Sequence, residues 1–211
     1  RHDYNNPDSR YYKKKLTVDD VMESRLISYP LKKFDCCLMS RGGAFALVTS
    51  EEWAKKHAPD KYVRIDGAGL SSCTIRAGDR LDFPGWNEMY GKGYPDMTEF
   101  AACRKSGEDA YDMAGIEYKK AAKKIDVAEI HDAFSSSEVQ IYKALHWCDK
   151  DNIHEFIRDK ETFLDGEVPT NVGGGLMGYG HPVGATGIMS AVECMYQLNG
   201  QAGEKHGSSK T

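Results

Sequence analysis

A glycine-rich stretch from Asn171 to Gly187 limits what this chain can fold into. It holds seven glycines in seventeen residues and one histidine, His181, and a helical pattern follows it at once. Glycines let the backbone approach a ligand closely and adopt positive φ angles, while main-chain N–H groups near a helix N-terminus favour negative charge. The stretch therefore predicts either a ligand-binding loop or a packed turn whose histidine makes a core hydrogen bond.

Two common nucleotide-binding loops do not fit this stretch. No lysine follows the glycines, as a phosphate-binding P-loop requires, and no strand leads directly into them, as a dinucleotide site requires. Pro182 directly follows His181 and restricts the backbone beside it. A histidine held in such a loop can act as a base or as a hydrogen-bond donor to an oxyanion.

A second histidine lies in the sequence IDVAEIHDAF, where an apolar run from Ile125 predicts a short strand that ends at His131. A single histidine at a strand end is more often structural than catalytic. Two histidines, each between a strand and a helix, are better explained by a shared site, so we predict that His131 and His181 approach one cavity. For Asp132 the pattern leaves a structural role, as the cap of the following helix.

Strand and helix patterns alternate along the chain, which predicts an α/β fold. A buried strand is predicted in the run GGAFALVTS, residues 42–50, and a second strand at Tyr62–Leu70. Residues 1–15 have no apolar period and predict an extended arm, and residues 74–97 predict a long loop. Helices are predicted after Thr17, over 51–57, 101–114, 135–147 and 149–160, and from about Ala185 to Asn199.

Composition narrows the class of protein. A net charge of -4 and a pI near 6.0 give no reason to expect a nucleic-acid partner. No stretch approaches the roughly 18–20 apolar residues of a membrane span. The six cysteines form no CxxC pair, so no metal site is predicted. Scattered cysteines suggest reduced thiols and a cytoplasmic location.

The two histidine motifs resemble those of one family. GHPVGATG, from Gly180, and HDAF, from His131, are similar to motifs of the thiolase superfamily, in particular the sterol-carrier-protein type and the archaeal and bacterial acetyl-CoA acetyltransferase-like thiolases. LTVDDVMESRLISYPLKKFDCCLMSRGGAFALVTSEE and DAYDMAGI are also similar, in family order. The resemblance implies a layered αβαβα fold of which this chain is the C-terminal part. Residues 1–58 would end the N-terminal half, and residues 59–211 would form the C-terminal domain without its last strands.

The resemblance also implies roles for particular residues. His181 matches the histidine that activates a nucleophilic cysteine and helps to bind the thioester oxyanion. His131 matches a position that is Asn in many thiolases and His in the sterol-carrier-protein type, where the residue orders a water or completes an oxyanion hole. The predicted substrate-binding residues are Phe134, Met177, Tyr179 and Gly180. Tyr179 either lines an acyl pocket or packs under the loop, and packing is favoured.

The implied reaction is cleavage of a 3-oxoacyl-CoA by coenzyme A, or the reverse Claisen condensation, with coenzyme A as co-substrate and no bound cofactor. A thiolase-like retro-aldol lyase acting on CoA esters and a noncatalytic CoA-ester-binding subunit are the alternatives. Expected partners are the acyl-CoA substrate, the remaining N-terminal half or a sister subunit, further copies in a homo-oligomer, and a small protein with a zinc ribbon and an OB fold.

One departure from the family concerns the cysteines. Thiolases carry the nucleophilic cysteine before the segment that matches the start of this chain, and a second, acid/base cysteine after the segment that matches its end. None of the six cysteines here lies in either context. The expectation is therefore a fragment or one piece of a split enzyme, which alone cannot cleave an acyl-CoA thioester.

Overall fold

The structure is a computed structural model that describes residues 6, 7, 9, 11, 13–76 and 98–203. These residues form two compact units. The first unit contains the chain up to Arg64, Ile125–Glu138 and the chain from Phe156 onward, and the second contains Ile65–Lys124 and Val139–Glu155. The expected division of the thiolase fold into 1–58 and 59–211 stays a prediction.

Eight α-helices are assigned among the described residues. In chain order they are Val18–Glu23 (α1), Glu51–His57 (α2), Ala101–Ala114 (α3), Ala121–Lys124 (α4), Ser135–Ala144 (α5), Ile153–Arg158 (α6), Gly175–Tyr179 (α7) and Thr186–Leu198 (α8). Short 3₁₀ turns lie at Lys33–Asp35 and Tyr118–Lys120. The short helix α7 inside the glycine-rich stretch was not predicted from the sequence.

Local capping explains where the first two helices begin. The Thr17 hydroxyl accepts the N–H of Asp20 at 3.1 Å, and the Asp20 carboxylate accepts the N–H of Thr17 at 2.7 Å. This reciprocal pair satisfies two N–H groups that the helix itself leaves unpaired. In the same way the Ser50 hydroxyl accepts the N–H of Trp53 at 3.3 Å. Both predicted helix starts are confirmed.

Glycines in the left-handed region end two of the longer helices. Gly115 follows α3 with a φ of 69°, and Gly200 lies just beyond α8 with a φ of 65°. A residue with a Cβ is strained at such angles, whereas glycine is not. The helix predicted over 135–147 is shorter, because α5 ends at Ala144 and His146 has a φ of 60°. The helix predicted over 149–160 is also shorter, since α6 covers only Ile153–Arg158.

The strand predictions for 42–50 and Tyr62–Leu70 are wrong. The sheet assigned among the described residues is the antiparallel pair Leu26–Ser28 (β1) and Leu31–Lys32 (β2). Phe45 is 92% exposed and Leu70 is 95% exposed. An apolar run indicates that a segment needs cover, but a strand forms only where a neighbouring strand completes its hydrogen bonds. Neither segment is paired as a strand with another described segment.

The strand predicted before His131 is reduced to one parallel bridge between Ala128 and Thr170. The Ala128 N–H donates to the Pro169 carbonyl at 2.8 Å, and the Ala128 carbonyl accepts the N–H of Asn171 at 2.7 Å. These two bonds place the beginning of the glycine-rich stretch beside the segment that leads to His131.

In the second unit, α3 packs closely against an extended segment. A Cβ built on Gly67 would lie 2.1 Å from the Ala110 carbonyl oxygen, and one on Gly69 would lie 1.8 Å from that of Ser106. Glycine is therefore required at both positions, two residues apart on one face of the segment. The predicted loop over 74–97 lies largely outside the described residues, since 77–97 are not described.

Two residues of the predicted arm are buried in the first unit. Asn6 is 1% exposed, and its amide Nδ2 donates to the carbonyl of Gly173. The hydroxyl of Ser9, which is also buried, donates to the Gly178 carbonyl at 3.4 Å. This part of the arm thus packs against the glycine-rich stretch. Across the described part of the chain, no helix is long and apolar enough to cross a membrane.

Candidate active site

The two histidine segments lie on opposite sides of one short backbone segment, residues 36–40 of the first unit. The Cys37 N–H donates to the Ala133 carbonyl at 2.8 Å, and the Leu38 carbonyl accepts the N–H of His181 at 2.8 Å. In an extended chain, successive residues direct their hydrogen-bonding groups to opposite sides. Residues 36–40 therefore hold the segment after His131 on one side and His181 on the other.

The side chains of the two histidines are in contact. The ring centroids of His131 and His181 are 4.8 Å apart, and the ring planes meet at 81°, an edge-to-face arrangement. The predicted approach of the two histidines is confirmed, although fifty residues separate them in the sequence. That both rings face one cavity stays a prediction. Two imidazoles at this distance can act on one small group, because each ring nitrogen can donate or accept a proton.

The surroundings of His131 favour its neutral form. Burial lowers the pKa of the His131 ring, the neighbouring His181 lowers it further, and the Asp132 carboxylate opposes both effects. Burial disfavours the charged imidazolium, and a second ring that can carry positive charge does the same. His131 therefore remains a neutral hydrogen-bond donor and acceptor to lower pH than an exposed histidine.

His181 makes a short contact with a residue that the sequence reasoning did not single out. Its Nδ1 lies 2.7 Å from the hydroxyl oxygen of Thr186, which is 3% exposed in the first turn of α8. The same hydroxyl donates to the Pro182 carbonyl at 3.1 Å. The signal available in the sequence was a threonine five residues after His181, at the predicted start of a helix.

Asp132 has a partner that was not predicted from the sequence. Its side chain is fully buried, and Oδ1 accepts the N–H of Leu176 at 2.8 Å, in the first turn of α7. That Asp132 caps the helix after HDAF stays a prediction, while this carboxylate oxygen binds a helix forty-four residues further along the chain. The Asp132 carboxylate also fills the space beside Gly175, where a Cβ would lie 2.4 Å from Oδ2.

Asn171 makes a second connection between the two motifs. Its side-chain Oδ1 accepts the N–H of Ile130 at 2.8 Å, and its φ of 51° lies in the left-handed region that Asn tolerates. Its Nδ2 is buried and has no hydrogen-bond partner among the described residues. Asp132 and Asn171 thus fix the glycine-rich stretch to the His131 segment at two points.

The four predicted substrate-binding residues lie in different surroundings. Phe134 is 42% exposed near His131, and Met177 is half-buried in α7. Gly180 is buried with a φ of 99°, and a Cβ there would lie 2.6 Å from the hydroxyl of Ser40. Glycine is required at this position because the backbone passes so close to Ser40. Contact of any of these residues with a substrate stays a prediction.

Tyr179 is half-buried beneath the loop and borders a cavity. Its hydroxyl lies 3.5 Å from Oε2 of Glu129, and burial and nearby carboxylates raise the pKa of Tyr179. The cavity has a volume of about 410 Å³, and its lining includes Met189, Val192 and Tyr196 of α8. Tyr179 thus has features of both expected roles, since it packs under the loop and also faces an open space.

Glu129 is a buried carboxyl group close to the same loop. Burial, together with the carboxylates of Glu193 and Asp132, raises the pKa of Glu129 to about 8. Its Oε1 is buried without a hydrogen-bond partner among the described residues. The carboxyl group of Glu129 therefore retains its proton at a pH where an exposed glutamate is ionised.

A family model supports the resemblance seen in the sequence. The model described as thiolase C-terminal domain-like matches residues 87–210, which is more than half of the chain. The chain belongs to the thiolase C-terminal domain-like family.

Several curated relatives match nearly the whole chain. An acetyl-CoA acetyltransferase from Methanothermobacter thermautotrophicus is 32% identical over 95% of this chain and 47% of its own length. Sterol carrier protein 2 from Oryctolagus cuniculus is 32% identical over 97% of this chain and 35% of its own length. The benzoylsuccinyl-CoA thiolase subunit BbsB from Thauera aromatica is 29% identical over 95% of this chain and 47% of its own length. The thiolase-like chain thus spans about half, or less, of these relatives.

A solved structure supports the thiolase-like fold. The Ltp2–ChsH2(DUF35) aldolase superposes with a TM-score of 0.77 over 99% of this chain and 50% of its own, at 21% identity. The predicted α/β, thiolase-like fold class is confirmed.

Five of the six cysteine thiols have a raised pKa, which makes them poor nucleophiles. Burial is the main cause that raises the pKa of Cys36 and Cys37, and burial raises it to about 11 for Cys103, Cys148 and Cys194. Since the thiolate is the reactive form, a raised pKa leaves these groups protonated at neutral pH. In the described ranges, no three His, Cys, Asp or Glu side chains are grouped to hold a metal ion.

Proposed function

We propose that this chain is part of a thiolase-type acyltransferase that acts on 3-oxoacyl-CoA thioesters. The observation that carries the proposal is the contact between His131 and His181, at 4.8 Å between ring centroids. Family membership and the curated acetyl-CoA acetyltransferase and thiolase relatives support the same reaction class. Coenzyme A is the proposed co-substrate.

In the proposed cleavage a thiolate attacks the 3-oxo carbon, and the carbonyl electron pair moves to oxygen. The oxyanion then reforms the C3 carbonyl as an acyl-enzyme thioester, the bond between C2 and C3 breaks, and C2 takes a proton. The part that contains C1 and C2 leaves as an acyl-CoA, which is acetyl-CoA when C2 carries no substituent. The thiolate of coenzyme A attacks this acyl-thioester, the acyl group leaves as a second acyl-CoA, and the enzyme thiolate is released. His181 removes the thiol proton and His131 donates to the developing oxyanion, a contribution of about 3–4 kcal/mol per donor in comparable sites.

The proposal places the nucleophilic thiol elsewhere. Five of the six cysteines have a raised pKa, as described above, and none of the six, Cys73 included, lies in the sequence context of the family's nucleophile. We propose that another part of the thiolase protein or a sister subunit supplies the thiol. One relative is named as a subunit, and the solved aldolase is named as an assembly of Ltp2 with ChsH2, which supports an assembly with other subunits here.

The raised thiol pKa values also favour a second candidate, a retro-aldol lyase that needs no thiol. In that reaction one imidazole removes the proton of a 3-hydroxyl group, the C2–C3 bond breaks, and C2 takes a proton. The products are a carbonyl compound and a shorter acyl-CoA. A noncatalytic CoA-ester-binding subunit is the third candidate.

The test uses the polypeptide at its native length, together with its co-purifying subunits. A panel of 3-oxoacyl-CoA thioesters is offered with coenzyme A, and a panel of 3-hydroxyacyl-CoA thioesters is offered without it. We expect thiolysis, which falls by at least about two orders of magnitude in His181→Ala. The matched control is His154→Ala, an exposed histidine on α6 that should leave the rate unchanged.

The outcomes separate the three candidates. Cleavage of the hydroxyacyl substrates alone supports the lyase, and binding without cleavage supports the noncatalytic subunit. Intact mass after brief exposure to substrate, followed by peptide mapping, locates the acyl group. Acylation at any of the six cysteines of this chain would contradict a thiol supplied from elsewhere.

A further inference from the structure

The hydroxyl of Thr186 lies between two possible partners, and it has one proton. One partner is the Pro182 carbonyl oxygen at 3.1 Å, which can only accept a hydrogen bond. The other is Nδ1 of His181 at 2.7 Å, which donates or accepts according to the tautomer of the ring. The position of the hydroxyl proton therefore decides which nitrogen of His181 carries its own proton.

The two arrangements differ in the hydrogen bonds that they complete. If Thr186 donates to Pro182, Nδ1 of His181 carries a proton and donates to the hydroxyl oxygen, so both short contacts are hydrogen bonds. If Thr186 donates to His181 instead, the hydroxyl oxygen faces the Pro182 carbonyl oxygen with no proton between them. The Pro182 carbonyl also accepts the N–H groups of Ala185 at 2.8 Å and of Thr186 at 3.1 Å, so it keeps hydrogen bonds in both arrangements. The second arrangement is disfavoured because it leaves two acceptor oxygens 3.1 Å apart with no proton between them, at a residue that is 3% exposed and where water cannot screen their repulsion.

We infer that Thr186 is a positioning residue that holds neutral His181 as the Nδ1–H tautomer, with the lone pair on Nε2. The bond from a threonine side chain to a carbonyl four residues earlier is a common helical arrangement, and here it orients the hydroxyl oxygen toward the ring. The hydroxyl thus fixes both the proton and the orientation of the imidazole.

The tautomer matters for the proposed reaction, and this consequence rests on the proposed function. A base must present an unprotonated nitrogen to the proton that it removes. With Nδ1 committed to Thr186, Nε2 is the only ring nitrogen of His181 that can do so. The tautomer itself can be measured whether or not the protein is a thiolase.

The experiment is nitrogen NMR of the native-length protein with ¹⁵N-labelled histidine, recorded at alkaline pH where histidines are neutral. The His181 signals are identified by their loss in His181→Ala. We expect a protonated Nδ1 and an unprotonated Nε2 in the wild type. A protonated Nε2 in the wild type would overturn the inference without the need for any variant.

Two substitutions at position 186 then test the cause. Thr186→Val keeps the shape of the side chain and removes the hydroxyl, so the Nδ1–H form should lose its dominance. Thr186→Ser keeps the hydroxyl and should keep the wild-type tautomer. An unchanged tautomer in Thr186→Val would contradict the role of Thr186, and backbone amide spectra check that the fold is intact.

Kinetics separate this inference from the proposed function. If the protein is a thiolase, Thr186→Val should lower kcat by about tenfold or more with little change in KM, and Thr186→Ser should recover most of the loss. A tautomer that shifts as expected in a protein without thiolysis would disprove the proposed function and leave the inference intact. Thiolysis by a protein whose neutral His181 is protonated on Nε2 would support the proposed function and overturn the inference about Thr186.

Discussion

The contact between Asp132 and Gly175 can be tested by a double-mutant cycle. In Gly175→Ala, the new Cβ would lie 2.4 Å from the Asp132 carboxylate, and the residue would keep a φ of 65°. The left-handed backbone costs about 1–2 kcal/mol for a residue with a Cβ. Overpacking against the carboxylate adds about 1–3 kcal/mol. We therefore expect Gly175→Ala to lower the free energy of unfolding by about 2–5 kcal/mol in total.

Asp132→Ala removes the carboxylate that accepts the N–H of Leu176, and Leu176 is fully buried. An unsatisfied buried donor costs about 1–3 kcal/mol. The double variant has room for the new methyl group, so the clash disappears while the backbone strain remains. The two changes together should therefore destabilise less than the sum of the single changes, by about 1–3 kcal/mol.

Urea unfolding of the four proteins, followed by far-UV circular dichroism, measures this coupling. Gly184→Ala is the matched control in the same loop, because a Cβ there meets nothing within 4 Å. It should change the free energy of unfolding by no more than about 0.5 kcal/mol. Strict additivity of Gly175→Ala and Asp132→Ala would refute the proposed close contact.

Three further results are expected. His131→Ala should lower the rate of the proposed reaction by about 10²–10³-fold. His131→Asn can still donate to an oxyanion and should lower the rate by less than about tenfold. Equal losses in a steady-state assay would argue against the donor role. The pKa of Glu129 is about 8 in the folded protein and its ordinary value is 4.5, so the folded state binds this proton more tightly than the unfolded state. Its stabilising contribution is complete below pH about 4.5 and is lost as the pH rises toward 8, so the difference in unfolding free energy between the wild type and Glu129→Gln should change over that window and stay constant outside it. Iodoacetamide at pH 7.5 should react slowly with the three thiols whose pKa is about 11, namely Cys103, Cys148 and Cys194, and rapidly once the protein is in denaturant. Intact mass and peptide mapping would record the labelling. Fast labelling in the folded state would show that burial does not protect these thiols.

Features that depend on neighbouring residues in the sequence were predictable. The capping pair of Thr17 and Asp20 lies within four residues, and Gly115 stops α3 at the position where a left-handed residue is needed. Both signals act over one helical turn, so the sequence contains all the information that they require.

Features that depend on distant partners were not predictable in the same way. The run that includes Phe45 was expected to be a buried strand, but a strand needs a partner strand from elsewhere, and no described segment pairs with this run, so Phe45 is 92% exposed. Asp132 was assigned to the nearest helix, whereas its partner Leu176 lies forty-four residues away. The meeting of the two histidines was predicted because the motifs together resemble one family, while the Thr186 contact needed the geometry.

The segment 36–40 joins the two histidine motifs through main-chain atoms. Its hydrogen bonds to Ala133 and His181 use backbone groups of Cys37 and Leu38, and the side chain of Met39 is 96% exposed. The exposed side chain of Met39 can therefore be substituted during divergence without moving either imidazole. An insertion or deletion of one residue would instead exchange the two sides of the segment and separate the pair. Members of the family that keep this chemistry should therefore keep the length of this segment, while the residue at position 39 varies.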